Sequence, residues 1–214
     1  MTKDEFKAAL QPVWSDSFRK YTSEVSQLLG KQYFTFKESS IIGFKAEAMF
    51  VHVAKAAVQI LNKGATAAST SEILGIPQNS PKYDSTYDRK YGDLAITAFG
   101  RTAFFDVKAS SKFEFKTLKY RMYGEVHTES LHDFVGNYIT FNVREDLMTD
   151  GTFVIPVKDC QNFKLHRESL PSYVSSYICL TDAMRRKFPV ESFADVLYDV
   201  LTNKDSKYFY IESK

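Results

Sequence analysis

Residues 90–112, KYGDLAITAFGRTAFFDVKASSK, constrain the fold more than any other stretch of the chain. Two apolar runs with period-two alternation flank Phe99-Gly100-Arg101, the pattern of a β-hairpin. Leu94 and Ile96 alternate with Asp93, Ala95 and Thr97, and Phe104, Asp106 and Lys108 alternate with Phe105, Val107 and Ala109. Asp106 and Lys108 therefore share a strand face, and Leu94 and Ile96 face away from Asp93. The loop decides the rest. A Phe99-Gly100 loop sets Asp93 across from Asp106, and a Gly100-Arg101 loop sets it across from Lys108. Either register gathers two carboxylates and an ammonium on one face, whereas a three-residue loop breaks the arrangement. Such a group on adjacent central strands has a high electrostatic cost unless it serves a function or a metal.

Upstream, residues 2–10 and 13–29 read as two helices, with Thr2 and Glu5 as a capping box, Pro12 in the first turn of the second and Gly30 at its end. Phe6, Leu10, Val13, Trp14, Phe18, Tyr21, Val25, Leu28 and Leu29 recur at helical spacing, as in a helical layer packed on a core. A longer helix is expected from Ser39 or Ser40 to about residue 62. On a helical wheel Ala46, Met49, Phe50, Val53, Ala54, Ala57, Ile60 and Leu61 form one face, and Lys45, His52, Gln59 and Lys63 the opposite one. Glu47 falls inside the apolar arc, so it must snorkel out, find a cation or point into a site. Residues 63–89 read as loop with one helical turn at 71–74, and Asp84 and Asp88 as solvated loop acids.

Downstream, Phe113, Phe115, Leu118 and Tyr120 interleave with Lys112, Lys116, Lys119 and Arg121. Counting Lys108, five basic residues occupy fourteen positions in a chain whose net charge is only +2. That excess suits an edge that contacts phosphates, or a solvated sheet edge protected by lysines. His127, Glu129, His132 and Asp133 lack the spacing of a zinc site and read as an exposed loop or helix start. Residues 138–143 and 152–157 read as a hairpin, 178–180 as a short strand, 183–188 as a short helix capped by Thr181-Asp182, and 190–201 as an amphipathic helix. Arg185, Arg186 and Lys187 form a second small basic cluster, and the last eight residues suit an edge strand.

The two cysteines, Cys160 and Cys179, make no disulfide framework or zinc spacing, which points to a reducing, cytoplasmic (intracellular) setting. The N-terminus lacks the apolar core of a signal peptide, and no apolar run is long enough to span a membrane.

A helix with Glu47, a strand with Asp93, a turn, a strand with Asp106-Val107-Lys108 and then a basic aromatic stretch resembles the PD-(D/E)xK nuclease superfamily, the restriction-endonuclease-like fold. The likeness covers residues 40–112, with acid-x-Lys thirteen residues after the first acid. Gly92 stands where the family carries proline, and the second acid is Asp rather than the commoner Glu. The resemblance implies an α/β fold: a central mixed β-sheet flanked by helices, in one domain. Residues 1–38 would be its N-terminal helical layer, 39–160 the catalytic core and 161–214 a helical and strand appendage.

It also implies a metal-dependent endonuclease acting on DNA in preference to RNA. Asp93, Asp106 and the Val107 carbonyl would hold Mg²⁺, with Mn²⁺ able to substitute. Glu47 would extend that shell, and Lys108 would act on the attacking water or offset charge. Ser110, Lys112, Lys116, Lys119 and Arg121 would contact the nucleic acid. A homodimer is expected if two strands are cut, with the aromatic-rich C-terminal third as its place. Two alternatives stay open: an RNA endonuclease of the cap-snatching type with His52 as metal ligand, and a non-catalytic nucleic-acid-binding module that keeps the fold.

Overall fold

The computed structural model describes residues 1–29, 31, 35–75, 90–110, 114–122, 135–142, 152–156, 165–170, 173–179 and 191–211. Expectations for Gly30, Asp84, Asp88, Ser111, Lys112, His127, Glu129, His132, Asp133 and residues 181–189 lie outside them.

One helix, α1 (Lys3–Leu29), replaces the two expected at the N-terminus, with Pro12 inside it. Proline removes the donor for the Ala8 carbonyl, but Ala8 and Pro12 both lie on the exposed face, where water can take that bond. The buried stripe Phe6, Leu10, Trp14, Phe18, Tyr21 and Val25 runs past the proline unbroken. At roughly 1.5–3 kcal/mol for each large apolar side chain, that burial outweighs the ~3 kcal/mol cost of an internal proline.

Helix α2 (Phe36–Leu61) starts earlier than Ser39, because Thr35 and Glu38 form a capping box. The Glu38 amide donates to Thr35 Oγ1 at 3.3 Å, and the Thr35 amide donates to the Glu38 carboxylate at 2.8 Å. Ala46, Met49, Phe50, Val53, Ala54 and Ala57 are buried as expected, Ile60 and Leu61 are half-buried, Ile42 and Val58 join the buried face, and Lys45, His52, Gln59 and Lys63 are exposed. The helical turn expected at 71–74 is present as the short helix α3 (Thr70–Leu74), and before it, where loop was expected, lies strand β1 (Thr66–Ser69); a second capping box at Ser69 and Glu72 joins them.

The remaining strands are β2 (Leu94–Ala98), β3 (Arg101–Ser110), β4 (Glu114–Met122), β5 (Asn137–Asn142), β6 (Thr152–Pro156), β7 (Leu165–Leu170), β8 (Tyr173–Cys179) and β9 (Glu191–Ser192), before the last helix α4 (Phe193–Thr202). Five of them join β1 in a six-stranded mixed sheet with the order β1-β2-β3-β5-β6-β9. Only β3 and β5 in that sheet pair in parallel; the β5–β6 hairpin is antiparallel, as expected. A separate sheet has the order β4-β8-β7, so β8 is longer than the short strand expected there.

Among the described residues of 161–214, strand β8 pairs with β4 on one side and β7 on the other, whereas β9 and α4 complete the main sheet and its core. Ser192 caps α4 and also pairs with Phe153, which converts the start of the expected helix into a strand. The tail forms turns rather than an edge strand; Tyr208 and Phe209 are buried, and the Tyr210 amide donates to Thr102 O at 2.8 Å. With Phe193, Tyr208 and Phe209 inside the chain's own core, they offer no surface to a second copy.

The core lies between the main sheet and α1, α2 and α4. Phe141 touches the rings of Trp14, Phe18, Tyr21 and Phe50, and Phe193 touches Phe50 and Phe105. Ala103, Phe105 and Val107 of β3 belong to this cluster, as do Ile139 and Phe141 of β5. Alternation then turns Phe104, Asp106 and Lys108 to the opposite face, where Ala95, Tyr138 and Ile155 are also buried outside the helical core. Among the described residues no helix is long and apolar enough to cross a membrane.

Candidate active site

The loop between β2 and β3 has two residues. Phe99 and Gly100 both adopt positive φ, 55° and 72°, as in a type I′ hairpin turn, and Ala98 pairs with Arg101. Of the two even registers, the structure adopts the one that sets Asp93 against Asp106. The ladder runs to Leu94↔Phe105, and the next step brings the two acids level.

Asp93 holds that place through its own groups. Its amide donates to the Phe105 carbonyl at 2.7 Å, and its Oδ2 accepts the Val107 amide at 2.7 Å. The carboxylate thus continues the ladder past the end of β2. In an extended strand a residue's N–H and C=O leave from the same edge. The Val107 carbonyl accordingly projects toward the edge that Asp93 occupies.

Two residues that sequence reading left out hold Asp93 there. Thr70, buried at the start of α3, donates its hydroxyl to Gly92 O and its amide to Asp93 O, the latter at 3.1 Å. Gly92 has φ of 77°, and a Cβ there would lie 2.8 Å from the Phe105 carbonyl carbon and 3.0 Å from Asp106 Cβ. Proline fixes φ near −65° and does not fit such a position. The departure from the family pattern at Gly92 therefore has a steric cause. Nothing in the spacing of the acids signals it; a glycine directly before the first acid was the available clue.

Asp93 and Asp106 are buried, at 9% and 3% exposure, and the Lys108 ammonium pairs with Asp106 Oδ2. Burial is the largest single influence on Lys108 and pushes its pKa down. The Asp106 and Asp93 carboxylates, the hydrogen bond to Asp106 and the Glu47 charge together outweigh it and raise the pKa above the ordinary lysine value. Glu47, half-buried on α2, is therefore within electrostatic reach of Lys108. The structure brings Asp93, Asp106, Lys108 and Glu47 into one neighbourhood.

Parallel pairing places Tyr138 beside Asp106 and Thr140 beside Lys108, both buried on the same face. Their alternation with Ile139 and Phe141 was legible in the sequence, but their position depends on the long-range β3–β5 pairing.

His52 is not part of this neighbourhood: it is exposed and lines a groove between α1 and α2 with Asp16, Tyr21, Glu24, Lys45 and Met49. Ser110 ends β3, and Lys116, Lys119 and Arg121 lie on β4, an edge strand of the smaller sheet; only their backbone placement is described. Among the described residues no three His, Cys, Asp or Glu side chains are arranged to hold a metal ion by themselves. Chemically, the site offers hard oxygen donors around one buried ammonium. Compared with known proteins, the chain matches no family model, no curated protein and no solved structure.

Proposed function

We propose that the chain is a metal-dependent endonuclease of the PD-(D/E)xK type, hydrolysing phosphodiester bonds, with DNA the first substrate to test. The observation that carries this reading is the convergence of buried Asp93 and Asp106 on Lys108, beside the end of β2. Mg²⁺ is held by one or two carboxylates completed by water and substrate phosphate. The Asp93–Asp106 pair meets that requirement, with the Val107 carbonyl on the same edge. Glu47 would act from the neighbouring helix. When bound, Mg²⁺ or Mn²⁺ supplies charge neutralisation at the phosphoryl oxygens and a polarised water. The Lys108 ammonium orients that water and offsets the charge that develops as the phosphodiester is attacked. The hydrogen bond that the Val107 N–H donates to Asp93 Oδ2 holds the first acid in line with the second, so positioning does not wait for substrate.

The Lys108–Asp106 ion pair also supports a second reading, in which Lys108 neutralises the acids structurally and the chain only binds nucleic acid. Supercoiled plasmid, single-stranded DNA and RNA incubated with Mg²⁺, Mn²⁺ or EDTA separate the two. The nuclease reading expects cleavage that needs metal and is lost in Asp106→Ala and Lys108→Ala. It also expects Mg²⁺ to raise the melting temperature of the wild type but not of Asp93→Ala. Binding without cleavage, unchanged by these substitutions, refutes it.

A further inference from the structure

Asp93 and Asp106 each follow an aromatic residue two positions earlier: Tyr91 before Asp93, and Phe104 before Asp106. The two rings are in contact, with centroids 4.7 Å apart. Tyr210 adds a third ring, its centroid 6.0 Å from that of Phe104, and the Lys90 ammonium lies 5.2 Å from the centre of the Tyr91 ring. Phe104 shares its strand face with Asp106 and Lys108, and two strand residues separate it from Asp106 by about 7 Å. That is of the order of the span from a phosphate to the base beside it. All three rings are half-buried rather than enclosed, and Lys90 is exposed.

The site is braced on this side too. The Val135 amide donates to Lys90 O at 3.1 Å, and Asn137 donates its side-chain amide to both Phe104 O (3.1 Å) and Tyr208 O (3.0 Å). The β3 strand, the residues before Asp93 and the C-terminal tail are thereby tied at one place. Their three aromatic side chains form a fixed surface next to the acids, carrying a cation.

We propose, building on the nuclease reading, that Tyr91, backed by Phe104 and Tyr210, is a stacking platform for an unpaired base adjoining the scissile phosphate. Lys90 contacts the backbone of the same nucleotide. A ring can take the face of a base only when that base is out of a duplex stack. The substrate class is therefore single-stranded nucleic acid, or duplex with a locally unpaired stretch, bound with little sequence preference.

Binding of a single-stranded oligonucleotide and of its blunt duplex is measured with Ca²⁺ in place of Mg²⁺, using 2-aminopurine at successive positions to report stacking. The wild type is expected to bind the single strand at least tenfold more tightly and to quench 2-aminopurine at one position. Tyr91→Leu should weaken single-strand binding by roughly 5- to 100-fold, the range of base–aromatic stacking, and leave duplex binding unchanged. Tyr91→Phe should keep wild-type affinity, and Lys90→Ala should lower the salt dependence by about one phosphate contact. Unchanged melting temperatures show that the variants are folded. Single-strand affinity within twofold of wild type in Tyr91→Leu, or equal binding of duplex and single strand, overturns the platform even where metal-dependent cleavage is seen. Tyr91-dependent single-strand binding without any metal-dependent cleavage keeps the platform and overturns the nuclease. Absence of any nucleic-acid binding overturns both.

Discussion

Two glycines with nearly the same backbone conformation allow the geometry around Asp93 to be tested without touching an acid. Gly92 and Gly100 have φ of 77° and 72°. A Cβ at Gly100 meets nothing within 4 Å, whereas one at Gly92 meets the Phe105 backbone at 2.8 Å and Asp106 Cβ at 3.0 Å. Gly100→Ala therefore incurs only the left-handed penalty, about 1–2 kcal/mol. Gly92→Ala incurs the same penalty and must also push β3 away from the chain before Asp93, an overpacking cost of about 1–3 kcal/mol. The sum is about 2–5 kcal/mol. At about 2–4 °C per kcal/mol for a chain of this size, Gly92→Ala should melt roughly 2–12 °C below Gly100→Ala. Urea unfolding followed by Trp14, the single and fully buried tryptophan, measures both variants on one scale. Cleavage should separate them further, because a displacement of about 1 Å at a reacting centre can reduce rate by about 100-fold. Equal losses of stability and activity in the two variants would refute the claim that close approach at Gly92 sets the spacing of the acids.

Two further outcomes follow from charged groups. Lys108→Met removes the buried cation from among Asp93, Asp106 and Glu47 and should destabilise the protein by about 3–5 kcal/mol in EDTA. Millimolar Mg²⁺ should raise the melting temperature of that variant more than that of the wild type, and an equal response contradicts a cation site between the acids. Asp195, in the first turn of α4, accepts the hydroxyl of the capping Ser192 at 2.7 Å and pairs with Lys7 at 3.1 Å and Lys3 at 3.4 Å. Burial pushes its pKa up, but the Ser192 hydroxyl and the Lys7 and Lys3 ammoniums outweigh it and hold the pKa below the ordinary aspartate value. Because the folded pKa is depressed, its contribution is complete above the unfolded value, near 4, and is lost as pH falls through the folded one. Asp195→Asn should therefore be about 1–2 kcal/mol less stable than wild type at pH 7, with the gap narrowing as urea titrations are taken to more acid pH.

What could be read from sequence divides along the range of the interactions. Alternation and an even loop put both acids and Lys108 on one face within sixteen neighbouring positions, while the choice between the Phe99-Gly100 and Gly100-Arg101 loops came from the structure. The inward side of α2 was likewise legible, because Phe50, Val53 and Ala57 recur on one helical stripe. Strand β1 was not: Thr66-Ala67-Ala68-Ser69 has weak strand preference and is held by its pairing with β2. Nor was the continuity of α1 through Pro12, since a proline there signals a boundary unless the exposed Ala8 carbonyl and the buried stripe are known together. Tyr138 and Thr140 stayed out of the candidate site for a third reason. Their nearness to Asp106 and Lys108 comes from a parallel pairing some thirty residues distant in sequence, which no local pattern encodes.

The packing of α4 bears on how the chain is made. Phe193 closes on Phe50 and Phe105, Lys7 reaches Asp195 across 188 residues, and Tyr198 donates its hydroxyl to Met1 O. Of the described elements, translation delivers α4 last. Until it leaves the ribosome, the nascent chain holds α1, α2 and most of the main sheet with an apolar face uncovered. At about 5–20 residues per second, the interval between the emergence of α1 and of α4 is on the order of 10–40 s. A stall before residue 193 leaves a product whose core lacks Phe193, Val196, Leu197 and Val200.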